Sequence, residues 1–348
     1  MKAIQITKPG EIRLIDMYQP LLHPNEVLVK ILYAGFCGSD LNTWSGKNLL
    51  AKMPVIPGHE IGGVIEAVGA DVQAYGITSS KRQLLSGTPC TINPYTACGH
   101  CSSCRNDRPN ACRFNQTLGV QRDGAMCEYM VVPYDKVIAD KDILPRDFCL
   151  VEPMSVGFHA VDRGKVTDRD TVMVIGCGMI GIGAVVCASQ RGAQVIAVDI
   201  SDHKLTVAKH FGATFAINSL TEEVHERLQA ITGNFGPDVV IEAVGSPTTY
   251  LMAVNEAAFT GRVVCIGYAK EPIAFETKYF VQKELDIRGS RNAITKDFQE
   301  VMNYLQQGSP PLDLLISGIY QPEQVEEVFQ RWTINQADIF RLIIVFGS

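Results

Sequence analysis

The chain has no excess of basic residues, no low-complexity tract and no internal repeat, and each absence narrows what it can be. Lys and Arg total 31 against 37 Asp and Glu, leaving a formal net charge of −6 and a pI near 5.7. That balance argues against nucleic acid or an anionic membrane as the main partner, while leaving room for a local basic pocket that takes an anionic substrate. The N-terminal run MKAIQITKPGEIRLID is charged throughout and lacks the apolar stretch of a signal peptide. One segment without charge, 172–189, is long enough to be mistaken for a membrane span. Its glycines at 176, 178, 181 and 183, and its change from a strand-like to a small-residue helical pattern, read instead as strand, turn and helix in a soluble fold. The expectation is a cytoplasmic protein with no membrane partner. Eleven cysteines in such a chain point to metal binding or buried thiols, not to a disulfide framework.

At 348 residues there is material for roughly two domains of about 150 residues each. The first 145 read as short β-rich runs bounded by turn residues: 26–35 (EVLVKILYAG), 59–69 (HEIGGVIEAVG) and 127–133 (CEYMVVP). No βαβ rhythm appears there, so a β-rich, barrel-like domain is expected. The rhythm changes near Glu152. From Thr171 to Gly289 six β segments (TVMVIG, AQVIAVD, ATFAIN, DVVIEAVG, RVVCIG and LDIRGS) alternate with helical stretches, the pattern of an α/β doubly wound parallel sheet. The last part holds a helix (DFQEVMNYLQQG) and an apolar strand (LIIVF) that is expected to return to the first domain. The predicted division is therefore 1–150 with 291–348, and 151–290.

Gly176-Cys177-Gly178-Met179-Ile180-Gly181 is a GxGxxG placed directly after a strand and opening a helix. The first glycine permits the tight turn, the second lets the backbone approach a pyrophosphate, and the third lets helix and strand pack closely. Such a run alone is equally compatible with an ordinary turn. Its context decides: Asp199 ends the next strand, 18 residues beyond Gly181, where a carboxylate can reach ribose hydroxyls and would repel a 2′-phosphate. NAD is thus favoured over NADP. Lys204 either supports the ribose or lies on a solvated helix face.

Cys98, Cys101, Cys104 and Cys112 form C-x2-C-x2-C-x7-C in a segment rich in Gly, Ser, Arg, Asp, Pro and Asn. Four thiolates on short loops suit tetrahedral zinc, and a segment with so little core of its own would gain order from the metal. This predicts a structural zinc. A second group is scattered: Cys37 in GFCGSD, His59 and Glu60 in PGHEIGG, and Glu152 in VEPMSVGFHA. One thiolate, one imidazole and a carboxylate leave an open position on a zinc ion, the condition for catalysis. Spacing by itself does not separate that reading from a buried cysteine and a core histidine.

GFCGSD, PGHE, the four-cysteine loop, VEPMSVG and GCGMIG occur in the order used by medium-chain zinc dehydrogenases, and the resemblance spans nearly the whole chain. It is nearest to the polyol and sugar-acid branch, which includes sorbitol dehydrogenase and enzymes oxidising L-idonate, L-galactonate or L-gulonate at C5. The resemblance implies a GroES-like catalytic domain beside a Rossmann domain, and a homo-oligomer, dimer or tetramer. It implies a catalytic zinc held by Cys37, His59 and Glu60, with Glu152 either a further ligand or the group holding the metal-bound water. Asp40 would accept a hydrogen bond from the ligand imidazole, and Ser39 would begin a proton relay beside the reacting hydroxyl in a cleft between the domains. The implied reaction is hydride transfer from a secondary hydroxyl of a small-molecule substrate to NAD.

The chain departs from its relatives at three places. Asn42 stands where many carry a histidine, and a neutral amide cannot titrate near pH 7, so the usual relay is broken or rerouted through water. DGAMCEY at 123–129 replaces DGGFAEY, and the loop 74–89 lacks the compact turn of relatives. Arg291, followed by Asn292, comes after the last Rossmann strand and is a candidate for pairing with a substrate carboxylate, which would favour a hexonate over a neutral polyol; an interdomain surface role competes with it. The runner-up activities are a sorbitol-type polyol dehydrogenase and L-threonine 3-dehydrogenase. A non-catalytic NAD-binding protein would be expected to have lost zinc ligands, and Cys37, His59, Glu60 and Glu152 are all present.

Overall fold

The computed structural model describes residues 1–75, 84–308, 310–334 and 337–347. Half of the 74–89 loop, residues 76–83, lies outside them. The chain divides into two compact units, Met1–Glu152 with Met302–Ser348, and Pro153–Val301. The helices Val151–Gly164 and Thr295–Leu305 run across the two junctions.

Seven strands precede the first junction: β1 (Lys2–Lys8), β2 (Glu11–Asp16), β3 (Glu26–Gly35), β4 (Glu60–Val68), β5 (Pro89–Ile92), β6 (Tyr129–Pro133) and β7 (Val137–Ala139). The second unit contributes β8 (Thr171–Ile175), β9 (Gln194–Asp199), β10 (Phe215–Asn218), β11 (Val239–Glu242), β12 (Arg262–Cys265) and β13 (Asp286–Gly289). The chain then returns to the first unit with β14 (Ile316–Tyr320) and β15 (Arg341–Val345).

In the first unit β1 and β2 pair antiparallel, and a larger sheet runs β14-β15-β3-β4-β5-β7. That sheet branches at β3: its first half, from Glu26 to Lys30, pairs with β6, and its second half, from Tyr33 to Gly35, pairs with β15. The final apolar strand thus completes the sheet begun by the first domain. Inward residues of these strands, Ile4, Ile6, Val29, Ile31, Ile61 and Ile344 among them, form one core with Val328, Phe329 and Trp332 of the helix Val325–Ile334. Phe329 is fully buried, with its ring edge-on to Phe36 at 4.9 Å and near Trp44 at 5.6 Å. A C-terminal aromatic therefore props the residue that immediately precedes Cys37.

The second unit is a six-stranded sheet, β10-β9-β8-β11-β12-β13, parallel throughout. Its central strands read as unbroken apolar runs because helices cover both faces, so no side chain points to water. Met173, Ile175, Ile196, Val198, Val240 and Val263 pack there against Leu228, Ala253 and Ala257. Strand order reverses between β8 and β11, and the carboxyl ends flanking such a switch point are where open α/β sheets bind ligands.

Truncating Phe329 removes a ring that the surrounding chain cannot replace. Phe329→Ala should cost about 3–5 kcal/mol in urea unfolding, and a loss under about 1 kcal/mol would mean that the site next to Cys37 does not lean on this cluster.

Candidate metal centre and dinucleotide site

The register of β3 and β4 places Gly35 opposite Glu60. Two residues beyond Gly35, Cys37 caps the helix Gly38–Trp44, so its thiol faces the segment that carries His59. The ligand atoms of Cys37, His59 and Glu60 lie within 4.8 Å of one another. Gly35 is required here, because a Cβ at that position would come within 2.5 Å of Glu60 Oε2.

The charges of this cluster are poorly matched as they stand. Burial pushes the Glu60 carboxyl well above the usual range; Arg341 pulls it down, and Cys37 and Glu152 push it further up. Burial alone would lower the His59 pKa, yet the Cys37 thiolate, with Glu152 and Asp40, holds it well above its ordinary value. Burial would likewise raise Cys37, but His59 and Arg341 bring it down. Thiol and imidazole thus hold one another charged in a dry site. His59 Nδ1 and both Glu60 oxygens are buried without a hydrogen-bond partner. A thiolate, an imidazole and a carboxylate converging with unsatisfied lone pairs fit a zinc ion, which would take the charge that a proton now carries.

The remaining site residues are anchored by neighbours that the sequence did not single out. Glu152 lies in the first turn of the helix Val151–Gly164 and accepts a short hydrogen bond from the Tyr95 hydroxyl. It is not one of the three groups that crowd together. Arg341, from β15, has Nη1 donating to Phe36 O, and its Nε lies 2.8 Å from Glu60 Oε2. That contact is off the axis of a hydrogen bond, so the two are paired by charge alone. Ser39 Oγ is buried without a partner. Asp40 departs from the expectation: its carboxylate accepts from the backbone N–H groups of Cys37 at 2.8 Å and Gly58 at 3.3 Å, not from an imidazole. It braces the backbone at one candidate ligand and beside the next. The reason is local geometry, since Asp40 is the third residue of the helix capped by Cys37 and folds back on it.

The four-cysteine loop is closed. Sulfur–sulfur distances are 3.5 Å for Cys101–Cys104, 3.8 Å for Cys101–Cys112 and 4.0 Å for Cys98–Cys104. A tetrahedron with metal–sulfur bonds of about 2.3 Å has edges of about 3.8 Å. Backbone N–H groups of Cys98 and Phe114 point at the Cys112 sulfur, and that of Cys101 at the Cys98 sulfur, each at 3.3 Å. Such donors stabilise thiolates. Hydrogen bonds from Ser103 and the backbone draw Cys101 down to about 5, while burial and its neighbours push Cys104 up to about 11. His100 is exposed; its ring Nδ1 lies 2.8 Å from the Cys98 carbonyl, and its own carbonyl accepts from Arg105 Nη1 at 3.2 Å.

In the second unit, the glycine run joins β8 to the helix Met179–Gln190, so Met179 and Ile180 open that helix. Gly176 takes φ +90°, and a Cβ there would strike Val244 at 2.5 Å. A Cβ on Gly181 would overlap the Gly176 carbonyl. Gly178 is different: its φ of −71° suits any residue, and a Cβ would meet nothing within 4 Å. Neither backbone nor packing requires glycine there, which fits an outside group approaching the backbone. Asp199, at the end of β9, accepts from Cys177 N at 2.7 Å and Ser201 N at 3.0 Å, fixing its carboxylate beside the turn. Lys204 is half-buried in the helix Asp202–His210. Arg291 and Asn292 follow β13; Arg291 is exposed and Asn292 adopts φ +53°.

Comparison with known proteins identifies the family. An alcohol dehydrogenase GroES-like domain model matches residues 23–142, and a zinc-binding dehydrogenase model matches 180–307. L-galactonate-5-dehydrogenase of Escherichia coli is 30% identical over 349 residues, covering 99% of both chains. Sorbitol dehydrogenase of Bacillus subtilis is 30% identical over 95% of this chain and 94% of its own. The crystal structure of an E. coli alcohol dehydrogenase complexed with NADH superposes with a TM-score of 0.88 at 32% identity, over 99% of each chain.

Metal analysis should find two zinc ions per chain, one for each cluster. Cys104→Ser should lose one of them and lower the unfolding midpoint. A variant that kept both ions would place the second outside the four-thiolate loop.

Proposed function

Because the chain belongs to the zinc-type medium-chain alcohol dehydrogenase family, whose members act on CH–OH donors, we propose that it oxidises a hexonate at C5 with NAD as acceptor. L-Galactonate, L-gulonate and L-idonate are the proposed substrates. The observation that carries the reading is the buried Cys37–His59–Glu60 group with its unsatisfied acceptors, in a relative of L-galactonate-5-dehydrogenase along nearly its full length. A neutral polyol is the second reading, favoured by similarity to sorbitol dehydrogenase.

Zinc in this site would supply the Lewis acidity that lowers the pKa of a bound hydroxyl, and NAD the hydride acceptor. Cys37, His59 and Glu60 hold the metal. Glu152, kept in place by Tyr95, either joins them or orders the water on the open position. Ser39, with its buried and unpartnered hydroxyl, receives the substrate proton and passes it outward. Asn42 cannot carry it further as an acid or base, so the onward path runs through water. In the second unit, Gly176 makes the turn, its N–H donating to Val198 O at 2.8 Å, while Gly178, Met179, Ile180 and Gly181 present backbone N–H groups to the pyrophosphate, Asp199 takes the ribose hydroxyls and Lys204 supports them. Arg291 and Asn292 add substrate contacts. The protein works in the cytoplasm as a homo-oligomer; β13, an open sheet edge with Ile287 exposed, supplies a pairing surface.

A screen of NAD reduction against hexonates, hexitols and L-threonine tests the proposal. Hexonates should give the highest kcat/KM, and Cys37→Ser should abolish turnover with NAD affinity within about twofold of wild type. Turnover that survived Cys37→Ser would exclude the metal role. Asp199→Asn should raise the NADP to NAD efficiency ratio on the order of tenfold, by removing repulsion of the 2′-phosphate; an unchanged ratio would take the ribose away from Asp199.

A further inference from the structure

We infer that Arg122 binds the carboxylate of the substrate, an assignment that rests on the sugar-acid reading above. Arg122 lies in the turn 118–124, where Gly119 N donates to its carbonyl at 2.8 Å. That turn is wedged against the backbone beside His59. A Cβ on Gly119 would meet Gly58 N at 2.5 Å, Ala125 N donates to Gly58 O at 2.9 Å, and Asp123 accepts from Ile56 N at 2.9 Å. The Arg122 side chain reaches the segment 93–95: Nη2 donates to the Pro94 carbonyl over a long 3.4 Å. Tyr95, the next residue, donates to Glu152. Arg122 is therefore carried on a turn that packs beside His59, and its guanidinium reaches the residue before Tyr95.

What this side chain lacks is a counter-ion. It is half-buried, its Nε is wholly buried with no hydrogen-bond partner, and among the described residues no carboxylate pairs with it. Burial alone depresses its pKa, with no anion opposing that effect. An arginine taken partly out of water and left unpaired is costly, and the chain has an excess of acidic residues from which a partner could have been drawn. A ligand carboxylate supplies the missing pair, and the planar guanidinium fork matches it. In a hexonate the C1 carboxylate is four bonds from C5, about 5 Å along an extended chain. A receptor for it therefore belongs on a segment that packs beside the metal-binding groups without joining them, as the turn 118–124 does against Gly58.

Steady-state kinetics of Arg122→Gln and Arg122→Lys, with Arg291→Ala in parallel, test this on hexonates and neutral hexitols. Arg122→Gln should raise KM for hexonates on the order of 10–100-fold with kcat within about twofold, and leave hexitol KM unchanged. Arg122→Lys, a point charge without the fork, should give a smaller selective rise. Equal changes for both substrate classes, or an unchanged hexonate KM, overturn the assignment. If Arg122→Gln does not fold, Arg122→Lys decides by the same selective rise or its absence. A selective effect of Arg291→Ala alone would move the carboxylate to that residue. Wild-type enzyme that turned over hexitols but no hexonate would instead overturn the sugar-acid reading, before any variant is measured.

Discussion

The pairing of β3 with β4 is the constraint on which the chemistry of the first unit depends, because it decides where a carboxylate is buried. Gly35 faces Glu60 in that register, and a slip of one residue would turn Glu60 to the other side of the sheet. β15 pairs with the same end of β3, Ile343 opposite Gly35, and so brings Arg341 alongside. Three strands far apart in sequence thus deliver Glu60, Arg341 and, just past the end of β3, Cys37 to one place. Burying such groups costs several kcal/mol each. The aromatic cluster of Phe36, Phe329 and Trp332 supplies rigid apolar packing next to them. The cost is tolerable only if the charges are finally matched, which a divalent cation does and a shared proton does poorly.

The two sulfur-bearing sites differ in the way that separates stability from reactivity. In the four-cysteine loop the shell is complete, with backbone N–H groups aimed at the sulfurs and edges close to those of a tetrahedron. Nothing is left for a substrate. The Cys37 group brings only three candidate ligands close together, with Glu152 bonded to Tyr95, and in the proposed reading an open position is left for an exchanging oxygen. Asp40 fits the same division: by holding the backbone at Cys37 and Gly58 it fixes where the candidate ligands Cys37 and His59 stand.

What could be read from the sequence was what is local. Unbroken apolar strands alternating with helices gave the parallel sheet, since burial on both faces leaves that pattern in any such unit. The four cysteines and the glycine turn are short-range spacings that needed no tertiary knowledge. Tyr95 and Arg341 were missed because their partners are distant: Arg341 bonds a carbonyl 305 positions away. A faint sign did exist in Arg341, a lone charge heading the apolar strand RLIIV, which is costly unless it meets an anion. The role of Asp40 was misread for another reason. Spacing can place a carboxylate near an imidazole, but it cannot say which of several N–H groups the carboxylate will take.

The glycine run shows how a motif divides between fold and ligand. Gly176 is needed for its left-handed backbone and for the room Val244 occupies, and Gly181 for the carbonyl it packs on. Both would be demanded by the strand–turn–helix alone, whatever the protein bound. Gly178 is demanded by neither, since its backbone is ordinary and the space above it is empty. A side chain there would cost the fold nothing and would obstruct only a visitor to the turn. Of the three glycines it is the one whose identity speaks for a bound dinucleotide, and Asp199, fixed by the neighbouring Cys177 N–H, is where the proposed reading has the ribose discriminated from its 2′-phosphate.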